Sequence, residues 1–370
     1  MKNIKKIATF GFSILLGLTL GLLSAPLIDR VLDGEGSTPE KLLKIAVVVV
    51  ILYISFILQI ILHEGGHLIF GLLSGYQFSS FRVYSFMLKK ENDRLKLCRF
   101  SLAGTAGQCL MAPPDLKDGY IPYKLYNLGG ILINILTVLV CGPLFLVTPE
   151  GSILQCFLLL MAVLGIAFAF MNGIPVNNGS ITNDGANVIA LGKDSEALKA
   201  FWLQMKVNEM ISRGITISEM PEEWFELPDE DHLKNPIACV TAFLRCNYLL
   251  EKGKYEESRE YMEYLLSKDT AINGVHKGLL RCDLAAISAL RDEIFEEKWM
   301  DKEQQKFMKT MKNFPSVIRT NYIYALLVNK DPEEAEKYKL QMEKVARTYP
   351  NQCELIQERK LIELADQKAA

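Results

Sequence analysis

The chain has 370 residues, of which 50% are hydrophobic and 23% charged, with a formal net charge of -2 at pH 7. That content is too apolar for an ordinary soluble enzyme, and so even a charge balance gives no reason to expect nucleic-acid binding. The long apolar runs lie before about Val188, and the remainder, rich in Glu, Lys, Arg and Tyr, reads as water-soluble.

A helix that crosses a bilayer takes about 20 mostly apolar residues. Four stretches meet or approach that length, Ile7 to Leu27, Ile45 to Leu73, Leu125 to Val147 and Ile153 to Met171, so four spans are expected. Lys2, Lys5 and Lys6 precede the first span and place the N-terminus in the cytoplasm. A cleaved signal peptide is the alternative for that span, but Pro26 follows Ala25, and Leu23 stands where a signal peptidase reads a small residue. The segment between the first two spans carries Asp29, Asp33, Glu35 and Glu40 against Arg30 and Lys41, whereas the loop Tyr76 to Lys124 holds Arg82, Lys89, Lys90, Arg94, Lys96, Arg99, Lys117 and Lys124. Both agree with that orientation, and four spans return the C-terminal region to the cytoplasm. The eight cysteines show no paired spacing of a metal knuckle or disulfide framework, and reduced thiols are expected.

The second span ends in His63-Glu64-Gly65-Gly66-His67. Positions i and i+4 share a helix face, so both imidazoles can bind one metal ion, and Glu64 can reach a water on that metal. Histidines four apart also occur on many surface helices without function. Ionisable groups at membrane depth are expensive, however, and this span contains no Lys or Arg partner for them. Gly65 and Gly66 each cost up to about 1 kcal/mol in a helix relative to Ala, which suits a close approach by a neighbouring backbone. His232 and His276, the other two histidines, fall in the soluble region and are expected to be ordinary exposed or packed side chains.

Within the following loop, Phe100 to Pro114 is mildly apolar and too short to span. It suits a re-entrant hairpin or an amphipathic interfacial loop. A catalytic zinc takes three protein ligands and a water, and the fourth span leads to the third ligand. Asn172-Gly173-Ile174-Pro175 follows Met171, and Asn183-Asp184-Gly185 comes after a run of Val, Asn, Gly, Ser, Ile and Thr. Such a sequence lets a chain leave a helix and turn at membrane depth. Asp184 is the expected ligand, and it can also cap a helix over Ala186 to Leu191.

These residues resemble the site-2 protease family of intramembrane zinc metallopeptidases. The likeness rests on His63-Glu64-Gly65-Gly66-His67, on the Asn172…Pro175…Asp184-Gly185 run, and on Gly130-Ile131-Leu132-Ile133-Asn134, which is similar to a Gly-x-x-x-Asn element of the intervening helix. It covers roughly residues 45 to 190. It implies His63, His67 and Asp184 as ligands of Zn2+, Glu64 as general base, and Asn134, Asn172 and Pro175 as residues that position substrate or active-site loops. It also implies a strand or hairpin near the site that holds unwound substrate. One departure stands out: the family places its Asp-Gly a few residues after Asn-x-x-Pro, and here several Asn, Ser and Gly residues intervene.

Beyond Leu191, Asp194 to Arg213 reads as an amphipathic helix. Tyr248 to Ser258 resembles the turn of a tetratricopeptide repeat, and Asn321 to Leu327 with Asp331-Pro332-Glu333-Glu334-Ala335 repeats the outline more faintly. The expected fold class is therefore an all-α membrane protein. A membrane-embedded metalloprotease domain over 1–192 is followed by a linker with an amphipathic helix over 193–235 and a soluble tetratricopeptide-like domain over 236–370. The expected function is zinc-dependent cleavage of membrane-anchored proteins or peptides in a cell membrane, bacterial in type, with a protein partner on the helical domain. Two alternatives are a proteolytically silent membrane protein that recruits partners, and a metalloprotease that takes a downstream glutamate as third ligand.

Overall fold

The computed structural model describes residues 17–19, 21–22, 25–26, 28–29, 37–91, 94–100, 105–175, 183–292 and 294–370. The expected first span, Ile7 to Leu27, lies largely outside them, as do 101–104 of the loop and 176–182 after the last span. The described chain is mostly helical and forms two compact units. Unit 1 comprises 1–85, 102–115 and 121–193, and unit 2 comprises 86–101, 116–120 and 194–370.

Among the described residues, three helices of unit 1 are long and apolar enough to cross a membrane: α1 (Thr38–Leu73), α2 (Tyr123–Val147) and α3 (Ile153–Gly173). Most of their apolar surface is exposed, including Val49, Tyr53, Leu139 and Leu154, a patch that water does not tolerate on a monomer of this size and that lipid does. The chain is therefore a membrane protein. At 36 residues α1 is about 54 Å long, well over the roughly 30 Å of a bilayer core. Its start is set by Ser37 and Glu40, whose carboxylate accepts from the Ser37 amide at 2.8 Å in a capping box. It stops at Gly75, where φ of +85° allows the amides of Gly75 and Tyr76 to close back on the carbonyls of Leu72 and Gly71. The three helices pack pairwise against one another, and α4 (Asp184–Leu191) packs on α2 and α3.

Strands correct the expected all-α class. In unit 1, β1 (Gln77–Val83) pairs antiparallel with β4 (Gly107–Ala112), with Phe81 opposite Cys109, and both lie on α1. The segment read as a re-entrant hairpin or loop thus supplies a strand: alternate burial of Cys109 and Met111 gives it the period of two that its short apolar run concealed. In unit 2, β2 (Phe86–Glu91) and β3 (Arg94–Arg99) form a second antiparallel ladder.

The rest of unit 2 is helical: α5 (Ser195–Ser212), α6 (Cys239–Glu251), α7 (Tyr255–Ser267), α8 (Gly274–Arg291), α9 (Lys302–Thr310), α10 (Pro315–Ile323), α11 (Pro332–Ala346) and α12 (Glu354–Ala369). Gly253, at φ +75°, makes the tight corner between α6 and α7. α10 runs into a π-helical turn over Tyr324–Val328 before Asp331 caps α11. Apolar cores lie around Met262, Leu280 and Val317 and around Ile287, Ile318 and Leu361. Between helices α8, α10 and α12 the buried Arg319 is paired with Asp283 and, at 2.8 Å, with Glu358.

Candidate metal centre

α1 presents a polar stripe at a strict four-residue interval, Ser55, Gln59, His63 and His67, all of them buried. Its last two members meet Asp184, the first residue of α4. His63 Nε2 lies 3.2 Å and His67 Nε2 3.4 Å from Asp184 Oδ2, and the two Nε2 atoms are 3.2 Å apart.

The tautomers follow from what stands behind the rings. His67 Nδ1 is 2.8 Å from the Tyr126 carbonyl oxygen, which can only accept, so Nδ1 carries the proton. His63 Nδ1 is 2.6 Å from Asn134 Oδ1. That amide is oriented in turn, because Asn134 Nδ2 donates to Gln59 Oε1 at 2.7 Å and Gln59 Nε2 donates to the Met161 carbonyl at 2.7 Å. The relay ends on a backbone acceptor and makes His63 Nδ1 the donor as well. Both Nε2 lone pairs therefore face the carboxylate oxygen of Asp184, which lacks a well-formed hydrogen bond despite its burial. Three electron-rich atoms this close repel one another unless a positive centre lies among them. Two imidazoles held by outer hydrogen bonds, with one carboxylate, are a donor set fit for a divalent metal ion.

Asp184 is free to serve because another residue caps its helix. Asn183, not Asp184, is the N-cap of α4: its side-chain oxygen accepts from the Ala186 amide at 3.1 Å. Its Nδ2 donates to the carbonyls of Met171 and Ile174, at 2.8 and 2.6 Å, and so ties the start of α4 to the end of α3.

Glycines set the distances between the elements. A Cβ on Gly66 would lie 2.2 Å from the Gly129 carbonyl oxygen, and one on Gly130 would lie 2.4 Å from the His63 ring. α1 and α2 thus cross with backbone against backbone at the level of the histidines. Gly65 has open space at its Cβ among the described residues, so the expectation of a close approach holds for Gly66 alone. On the other side of α1, a Cβ on Gly107 would lie 2.4 Å from Glu64 Oε1, which brings β4 directly against that carboxylate. Arg82 is buried nearby on β1 and donates to the Tyr84 carbonyl at 2.8 Å and to the Thr105 hydroxyl at 2.5 Å.

The other expected residues are placed differently. Asn134 is fully buried and its amide is committed to His63 and Gln59, which makes it a positioning residue for the histidine. Asn172 donates to the Phe168 carbonyl one turn back at 3.0 Å, and Pro175 is exposed after the end of α3. His232 pairs with Asp229 at 2.8 Å, and His276 stacks on Phe243 at 4.1 Å between ring centroids. The sequence reading missed Gln59, Asn183 and the backbone of Tyr126. For Gln59 the signal was present, one helical turn before His63. Comparison with models of protein families, with curated proteins and with solved structures finds no match for this chain.

Proposed function

We propose that this chain is a zinc-dependent endopeptidase that cuts membrane-anchored proteins or peptides, as its resemblance to the site-2 proteases implies. The observation that carries the reading is the convergence of His63, His67 and Asp184, with both imidazole tautomers set so that lone pairs face one point. Two histidines and a carboxylate that leave a position open are the donor set of a hydrolytic zinc. Zinc held there would polarise a peptide carbonyl and lower the pKa of its water towards about 7.

The chain's own groups do the rest. Glu64 follows His63 directly and lies against β4, where it takes the proton of the attacking water and hands it to the leaving amine. β4 is an end strand of its sheet, and an unwound substrate segment that pairs along it is held in extended form beside Glu64. A helix must open in this way before its peptide bonds can be reached. The N-terminal Ile7 to Leu27 run adds a fourth span. With the N-terminus and unit 2 in the cytoplasm, the helix pairs of unit 2, tetratricopeptide-like in outline, receive a protein partner there.

The test is metal content and cleavage of a membrane-anchored substrate by purified wild-type, Glu64→Gln and Asp184→Ala proteins. Wild type is expected to carry about one zinc and to cleave. Glu64→Gln keeps the zinc and loses cleavage, and Asp184→Ala loses both. Wild-type protein free of zinc after purification without chelator would sink the proposal, and would favour a silent, partner-recruiting membrane protein.

A further inference from the structure

Unit 2 contains a basic cavity that the proposed catalysis does not use. It measures about 510 Å3 and is lined by Lys89 and Lys96, Arg99 and Arg347, with Phe86 and Leu97 beside them, and its lining includes no carboxylate. The register of β2 and β3 sets Lys89 directly opposite Lys96. Lys89 is buried and donates to the Pro350 carbonyl, while the Arg99 guanidinium sits 5.3 Å from the centre of the Phe86 ring. Large apolar side chains flank these cations in the open: Phe86 is 55% exposed, Leu95 63% and Leu97 69%. The sequence 86–101 carries five cations against Glu91 and Asp93.

A fold that gathers cations in a cavity and leaves bare hydrocarbon beside them fits a ligand with an anionic head and an apolar body. Only 74–85 separate Phe86 from Leu73, the end of α1, so the hairpin stays within at most about 45 Å of a membrane span by chain length. Lipid is the amphiphile always present at that range. We propose that the β2–β3 hairpin and Arg347 form a binding site for the phosphate head of an anionic phospholipid, with Leu95 and Leu97 in the interfacial layer. Each cation near an anionic surface adds about 1 kcal/mol, roughly a fivefold gain in affinity.

Hydrogen exchange of the full chain tests it, in nanodiscs of phosphatidylcholine with or without phosphatidylglycerol. Exchange at 86–100 is expected to slow about threefold or more with phosphatidylglycerol, and to recover near 1 M salt, where screening acts within about 3 Å. Combined Lys96→Glu, Arg99→Glu and Arg347→Glu should abolish the protection. Should that variant fail to melt cooperatively by tryptophan emission, Lys96→Gln with Arg347→Gln takes its place and should halve the protection or more. Equal exchange in the two lipids, or protection that survives the substitutions, overturns the proposal. Inorganic phosphate protecting the segment in phosphatidylcholine would assign the cavity to a soluble phosphate ligand instead, and protection by polyglutamate would assign it to an acidic protein.

Discussion

Asn134 shows how much of the candidate centre is decided by single side chains behind it. Its amide stands between His63 and Gln59, so removing it frees the imidazole to rotate and to change tautomer. Loss of such an outer partner lowers metal affinity about 10–100-fold. Asn134→Ala is expected to show that loss in a chelator competition, while retaining the melting profile of unit 2. A second buried network lies around Arg319, which is paired with Asp283 and Glu358. Burial raises the Asp283 carboxyl to about 6, and its pairing with Arg319 works against that rise. Arg319→Leu leaves two acids uncompensated in the core and is expected to cost about 3–5 kcal/mol in denaturant unfolding, because removing one partner of a buried pair exposes the full desolvation cost of the other. Asp283→Asn should be distinctly milder.

Among the elements, the crossing of α1 and α2 separates two neighbouring glycines that look equivalent in sequence. Gly66 faces the Gly129 backbone at a distance that admits no side chain, and Gly65 faces open space among the described residues. Gly66→Ala is therefore expected to push α1 from α2, displace His67 and strip the metal, read as zinc content after gel filtration. Gly65→Ala should keep the metal and gain up to about 1 kcal/mol of helix stability, since alanine is the better helix former. A loss of zinc in both variants alike would contradict the packing described. The same logic explains α4, which begins where Asn183 can reach two carbonyls at the end of α3 and thereby holds Asp184 in place.

In the molecule as a whole, the three tryptophans Trp202, Trp224 and Trp299 all belong to unit 2, so their emission follows that unit without interference from the membrane helices. Burial raises Glu251 and Glu354 to about 7 each, against an ordinary value of 4.5. A carboxyl whose folded pKa is raised holds its proton more tightly in the folded state. The stability it contributes is complete below about pH 4.5 and is lost as pH rises through about 7. The tryptophan-monitored melting temperature is expected to fall across that interval. Glu251→Gln keeps an oxygen for the Ser218 amide, which now donates to Glu251 at 2.9 Å, and should flatten the fall. An unchanged slope in Glu251→Gln would mean that this carboxyl is not its source.

The apolar length of three helices, their ends at Leu73, Val147 and about Met171, and the placing of His63 beside His67 on one face all follow from local sequence, because hydrophobic length and a 3.6-residue period are properties of consecutive residues. The strands were harder to see. β4 is a six-residue apolar run whose partner lies about 30 residues away, and such a run has the same composition whether it dips into lipid or pairs with a strand. That Asp184 faces the histidines, that Asn134 orients one of them, and that Gly66 and not Gly65 meets α2 depend on contacts between residues far apart in the chain. Only the tertiary structure decided these, since a side chain's hydrogen-bond partner and the space at a Cβ are set by packing, which no local pattern encodes.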